Sequence, residues 1–408
     1  MTNGVKKVPE LRFPEFDGEW EGIFLNKLGM FKKNYTFSRA NEGEGTLRHI
    51  HYGDIHSKFK SKIEKIELLP SISVDLEDPQ LVQNNDLIFA DASEDYNDLG
   101  KTILMKVNNG NLIAGLHTHL FSPNNSLNSE FLLYFTQTKV YRKFIKRQGV
   151  GISVLGISKK NLDKLLVSLP KYNEQKKIGE FFSKLDRQIE LEEQKLAKLE
   201  EQKKGYMQKI FSQELRFKDE EGNYYKEWDT KQLKDVLEFS NKRTTNENEY
   251  PVLTSSRQGL LLQSDYYKDG KTFAESNIGY FILPKNYITY RSRSDDGIFK
   301  FNLNQIIDVG IISKYYPVFK GINTNQYYLT LHLNYQLKKE YIKYATGTSQ
   351  LVLSQKNLQN IQTKLPSYEE QTKIANFLSE LDKLIEKQSD KVELLKDRKK
   401  GLLQKMFV

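Results

Sequence analysis

Between Lys139 and Leu162 the chain carries seven lysines and arginines and no acidic residue until Asp163. Arg142, Lys143, Lys146 and Arg147 fall at helical spacing, and Gly149, Gly151 and Ser153 follow at once. Cationic side chains neutralise phosphates, and glycine lets a backbone approach closely and donate its N–H groups. The pattern returns as Lys338, Lys339 and Lys343 ahead of Gly347, Thr348 and Ser349. A solvated basic helix would hold the same lysines. Recurrence beside the same glycine turn favours phosphate contact.

Base reading needs forked donors and acceptors on loops or strand ends. "TLRHIHYGDIHSKF" offers Arg48, His49, His51, Tyr52 and His56, while "TSSRQG" and "YRSRSDDG" offer Ser255, Ser256, Arg257, Arg291, Arg293 and Asp295. The two sets differ in kind, as two different half-sites would require, although each residue has an ordinary structural reading as well. Catalytic chemistry is sparse. The pairs His49/His51 and His117/His119 have strand spacing for a shared metal ligand set, but no cysteine or clear third ligand accompanies them, so no metal is expected. "LGKT" and "DGKT" imitate the end of a phosphate loop, yet Asp95 and Asp265 stand where its first glycine belongs. No dinucleotide fingerprint, nucleophile elbow or methyltransferase motif is present. The chain reads as a non-catalytic binding scaffold without a cofactor of its own. A nuclease with a degenerate site is the enzyme alternative.

The 408 residues allow two or more domains with real cores, and the formal charge of +9 favours a polyanionic partner. No apolar run approaches a membrane span, and "MTNGVKKVPELRF" lacks the apolar core of a signal peptide. With no cysteine in the chain, a reducing, cytoplasmic location is expected.

These candidate residues sit in a repeat. "LPKYNEQKKIGEFFSKLD" (169–186) matches "LPSYEEQTKIANFLSELD" (365–382) at 11 of 18 positions, at an offset of 196. "ELRF" occurs at Glu10–Phe13 and Glu214–Phe217, each ahead of one of the two tryptophans, Trp20 and Trp228. The blocks between, roughly 21–158 and 229–354, share little. After "QKIF" the chain continues "SQELRF"; after "QKMF" it ends, and its missing continuation stands at the N-terminus as "VPELRF". The N-terminus should therefore pack where the second unit would have continued, closing the two units into a ring.

From Asn173 to Phe211 there is no proline, and strong helix formers dominate. Steps of four and three select Ile178, Phe182, Leu185, Ile189, Leu196 and Leu199, broken by Glu192 and Lys203; the second copy selects Ile374, Leu378, Leu381, Ile385, Val392 and Leu395, broken by Gln388 and Lys399. This spacing predicts two coiled-coil helices of about 58 Å that run antiparallel and bury each other's stripe. A coiled coil between two chains is the alternative. The blocks read as strands at "DLIFADAS", "KTILMKV", "NLIAGLHTHLF", "GYFILP", "YITYRS", "FKFNL" and "QYYLTLHL", and as helices ending in the glycine turns at "SEFLLYFTQTKVYRKFIKRQGVGIS" and "LKKEYIKYATGTSQ". The expected fold class is α+β: two similar mixed α/β domains joined by two long antiparallel coiled-coil helices in a pseudo-two-fold, circular arrangement.

The duplicated "LP…EQ…I…FL…LD" segment, the charged helices ending "KKG…QK(I/M)F" and the "LRFPEFDGEW" entry resemble the specificity subunit of Type I restriction–modification systems over essentially the full length. The resemblance implies target-recognition domains at 1–168 and 214–364, and helical spacers at 169–213 and 365–408. Each domain would read one half of a split double-stranded DNA target, with half-site centres about 34–36 Å apart. It implies docking of two methyltransferase (modification) subunits and joining of restriction/translocase subunits. S-adenosylmethionine, ATP and magnesium would belong to those partners. The residues assigned to DNA are Arg48, His49, Tyr52, Arg142, Lys143, Lys146, Arg147, Gly151, Ser153, Ser255, Arg257, Arg291, Arg293, Lys343, Gly347 and Ser349. A stand-alone nucleic-acid-binding adaptor is the runner-up.

Overall fold

A computed structural model describes residues 7–107, 110–267 and 276–408. The "DGKT" stretch lies outside the described residues. Two helices dominate, Tyr172–Phe211 and Tyr368–Met406, of 40 and 39 residues. Each begins two residues after a proline, with Glu174 or Glu369 and Glu370 in its first turn, where carboxylates oppose the positive end of the helix dipole. Among the described residues no helix is long and apolar enough to cross a membrane.

The chain forms two compact units: one runs up to Lys195 and takes in Gln388–Val408, and the other is Leu196–Lys387. Each unit thus holds one variable block and a portion of both long helices.

In the first unit a five-stranded sheet has the order Gly29–Phe31, Thr118–Pro123, Leu87–Ala90, Thr102–Met105, Lys62–Ile63, antiparallel except for the last pair. Its central strands "LIFA" and "TILM" are buried throughout, and apolar apart from Thr102, because both faces are covered. Leu87, Phe89 and Leu104 enter the core shared with the helices, whereas Ile88, Ala90, Ile103 and Met105 face a second core beside helix Tyr52–Ser57. In the second unit, Leu237–Ser240, Val318–Gly321, Ile288–Tyr290 and Phe301–Leu303 make a four-stranded antiparallel sheet in that order.

Two sequence expectations need correction. "QYYLTLHL" is not a strand but most of helix Gln326–Tyr335. Asn325 caps it by accepting the Tyr328 N–H at 3.0 Å. The alternation of aliphatics with Tyr, Thr and His imitates a period of two, while the buried face, Tyr328, Leu329, His332 and Leu333, is helical. The first basic segment is two helices, Ser129–Phe135 and Lys139–Gln148: Thr136 ends the first, and Thr138 caps the next through the Tyr141 N–H.

The repeated segment builds the same joint in each unit. Arg12 forks onto Glu174, which is 1% exposed, at 2.7 Å to each oxygen; Arg216 forks onto Glu370, also 1% exposed, at 2.9 and 3.1 Å. Gln175 accepts the N–H of the helix cap Asn128 and donates to the Pro170 carbonyl; Gln371 does the same for Asn325 and Pro366. Asp186 receives Tyr134 Oη and Lys399, while Asp382 receives Tyr327 Oη and Lys203. Lys203 and Lys399, the polar breaks in the two seams, therefore have carboxylate partners inside their own units. Gln388 meets the other break by donating to Glu192 at 2.7 Å.

Within each unit the helix portions run antiparallel. In the first, Phe182 packs against Phe407 and Asp186 pairs with Lys399; in the second, Tyr206 packs against Phe377 and Lys203 pairs with Asp382. Ile178, Phe182, Leu185, Ile189 and Leu395 join the first unit's core, and Val392 is buried. Ile374 and Leu378 join the second, with Leu381 packed against it. Leu196, Leu199 and Ile385 are half-buried. The seam thus serves the domain cores as much as the neighbouring helix. The N-terminal strap also sits where the repeat requires: Leu11 N–H donates to the Lys405 carbonyl at 2.9 Å, as Leu215 N–H donates to the Lys209 carbonyl at 3.0 Å.

Candidate nucleic-acid interface

The two glycine turns have the same backbone. Val150 and Gly156 exchange two hydrogen bonds, of 2.9 and 2.7 Å, and Thr346 and Val352 exchange two, of 3.0 and 2.8 Å. Gly151 and Gly347 sit at φ +132° and +115°, and a Cβ would lie 2.1 and 2.2 Å from the carbonyl oxygens of Val154 and Gln350. Only glycine fits at either position. Ser153 and Ser349 are exposed just beyond.

Lys143, Lys146 and Arg147 are exposed on the last turns of their helix and make no ion pair among the described residues. Arg142 is different. Its guanidinium donates to the carbonyls of Asn97, Leu99 and Thr136 at 2.9, 2.8 and 3.2 Å, and burial lowers its pKa. It braces the loop before Gly100 and is not free for phosphate. Lys343 is exposed but held by Glu340 at 2.8 Å, an ordinary surface pair.

Of the first unit's base-reading candidates, His49 does not fit the role. It is wholly buried, with Nε2 3.3 Å from Glu42. Arg48 donates to the Leu69 carbonyl. His51 caps helix Tyr52–Ser57 by accepting the Gly53 N–H. Tyr52 remains half-buried among the rings of His51, His56 and His117, at 4.4, 5.7 and 5.4 Å. His56 Nε2 lies 3.2 Å from the Ala92 carbonyl, and Ala92–Ser93 pairs with the strand that closes the glycine turn. The fold thus gathers Tyr52 and the turn along one stretch. His117 and His119 both face Asp91, at 3.2 and 3.6 Å; among the described residues no group of three or more His, Asp or Glu side chains is placed to hold a metal ion.

In the second unit Ser255 is 5% exposed and accepts from Asn302 at 2.8 Å, so it is internal. Arg257 is exposed and paired with Asp296 at 2.6 Å. Arg291 and Arg293 are brought to the turn: strand Arg293–Ser294 pairs with Leu351–Val352, and Gln350 donates to Asp295 at 2.9 Å. An open cleft of about 660 Å³ is lined by Arg291, Arg293, Lys314, Tyr280, Tyr315 and Gln350, among others. The Arg293 guanidinium lies 5.0 Å from the Tyr315 ring centre. Cations beside aromatic faces suit phosphates and bases. Sequence reasoning missed Lys314 and the tyrosines. The doublets Tyr266-Tyr267 and Tyr315-Tyr316 were the available signal, but only the fold sets Tyr267, Tyr315 and Tyr316 around one space.

Two frameworks built alike, each carrying a pinned glycine turn beside cationic and aromatic side chains, define a nucleic-acid-binding scaffold with two unlike faces. The chain belongs to the family of the Type I restriction modification DNA specificity domain, whose model matches residues 18–201 and 225–394. It is 26% identical to the Type I restriction enzyme MjaVIII specificity subunit of Methanocaldococcus jannaschii, over 97% of this chain and 93% of that protein. The putative type I restriction enzyme MjaX specificity subunit of the same organism is 25% identical over 77% of this chain and 76% of its own length. The crystal structure of a Type-I restriction-modification system S subunit from M. genitalium shares the fold, with a TM-score of 0.59 at 15% identity, covering 98% of this chain and 99% of that one.

Proposed function

We propose that this chain is the sequence-specific DNA-recognition subunit of a Type I restriction–modification complex, reading a bipartite target with one unit per half-site. The observation that carries this reading is the repetition of the framework with different exposed faces. The Arg–Glu fork, the Gln clamp and the glycine turn recur, whereas Tyr52 with its histidines and Arg291, Arg293 and Tyr315 do not. Lys143, Lys146 and Arg147 meet phosphates. The N–H groups around Gly151 and Gly347 approach the backbone of the duplex. Arg291 and Arg293 contact bases or phosphates of the second half-site. The helices Tyr172–Phe211 and Tyr368–Met406, which run from one unit into the other, set the spacer between half-sites. The chain does no chemistry itself. Two modification subunits dock on it, restriction subunits join them, and S-adenosylmethionine, ATP and magnesium bind on those partners.

The test is methylome sequencing of cells carrying the chain with its modification subunits. A split motif with two unlike halves is expected. Adding one heptad to both long helices should lengthen the spacer and leave each half unchanged. An unsplit motif, or a spacer indifferent to the insertion, overturns the reading. The purified chain with magnesium and DNA should neither cut nor methylate. Co-purification with DNA but never with a methyltransferase would favour the adaptor.

A further inference from the structure

The two glycine turns share a backbone and differ in what they show to solvent. The offset of 196 sets Val150, Ile152 and Val154 against Thr346, Thr348 and Gln350. In the first unit the tip is aliphatic: Ile152 is 101% exposed, Val150 67% and Val154 59%. Three exposed aliphatics within five residues form an apolar patch that a soluble surface ordinarily avoids. The turn cannot fold them away. The Val150–Gly156 bridge holds its base, and Gly151 packs its Cα against the Val154 carbonyl in a conformation other residues rarely adopt. The helix that leads into the tip ends with Lys143, Lys146 and Arg147, exposed and without ion pairs among the described residues. An apolar tip at the end of a cationic helix is complementary to a polymer with anionic edges and an apolar stacked interior.

We propose that the Val150–Val154 tip enters a groove of the half-site read by the first unit, with Ile152 inserted as an apolar wedge against a base step. The second unit's turn, with Thr348 and Ser349, stays polar and rests on the DNA backbone. The cationic helix end positions the duplex through phosphates, and the wedge lets the first unit favour base steps that unstack cheaply. This inference rests on the DNA-recognition reading and deepens it.

The experiment uses the full chain assembled with its modification subunits, on duplexes bearing the motif found by methylome sequencing. 2-Aminopurine is placed at successive steps of each half-site. The wild-type complex should raise its fluorescence at one step of the first unit's half-site. Ile152→Ser should weaken binding tenfold or more and abolish that rise. It should leave the salt dependence unchanged, because an apolar contact releases no counterions. Its unfolding midpoint should match the wild type, since Ile152 touches nothing in the free chain. Thr348→Ser should alter affinity less than twofold. Three results overturn the wedge: Ile152→Ser binding as tightly as wild type, a loss equally large when the first half-site is scrambled, or no fluorescence rise in the wild-type complex. A wild-type complex with no sequence preference would sink the recognition reading itself, and the wedge with it. A wild type that discriminates alongside an unaffected Ile152→Ser sinks the wedge alone.

Discussion

Arg12 grips Glu174 in the first unit and Arg216 grips Glu370 in the second, both carboxylates 1% exposed. A little further along, the first unit's turn shows Val150, Ile152 and Val154, and the second shows Thr346, Thr348 and Gln350. The same chain therefore keeps its joints and changes its tips. A joint residue is constrained by several partners at once, so drift there strands a buried charge. A tip residue answers to whatever molecule meets it. The repeated "LP…EQ…LD" segment is the set of joint residues that lie on the helices, which explains its presence in both copies.

The largest test of this comparison is the fork. Arg12→Ala and Arg216→Ala should each destabilise the protein by about 3 kcal/mol, since each leaves a buried carboxylate unpaired. Denaturant unfolding should give losses of similar size; a loss confined to one unit would break the equivalence. Gly179 sharpens it next. A Cβ there would lie 2.8 Å from the Glu130 Cβ, whereas the second copy already carries Ala375, 3% exposed, at the matching position. Gly179→Ala should cost about 1–3 kcal/mol through overpacking. Ala375→Gly should cost about 1 kcal/mol from lost helix propensity.

Arg142 and Lys143 separate brace from contact. Arg142→Ala should lower stability by about 1–3 kcal/mol, as three carbonyls lose their donor. Lys143→Ala should leave stability alone and reduce the salt slope of DNA binding by about one. Reversal of those two outcomes would move the interface. The smallest effect belongs to Gly205 and Gly401, which sit in helix interiors with nothing within 4 Å of a Cβ. Gly205→Ala and Gly401→Ala should each raise stability by about 0.5–1 kcal/mol. A difference between them in thermal unfolding would reveal a local contact present in one copy only.

The long helices were legible because a seam of period 3.5 runs for about ten turns, and the strands around "LIFA" and "TILM" because both faces are buried. Helix Gln326–Tyr335 was misread because its aliphatics alternate with Tyr, Thr and His as in a strand, and that alternation outweighed the local cap, Asn325, which accepts the Tyr328 N–H. The site was legible in its turns and poorly legible in its side chains. His49, Arg142 and Ser255 look like free polar groups in sequence. Their partners, Glu42, the Asn97 and Leu99 carbonyls, and Asn302, are supplied by tertiary packing that carries no local signature.

Phe407 lies against Trp20, Phe131 and Phe182, and the Lys405 carbonyl takes the Leu11 N–H. The first unit is thus discontinuous in the chain, while the second is a single stretch, Leu196–Lys387. During synthesis at 5–20 residues per second, roughly 10–40 s separate Lys195 from the return of Gln388. For that interval the earlier-made half waits with an unfilled aromatic socket, and the later-made half can finish first. Loss of residues 397–408 should therefore spoil the first unit more than the second.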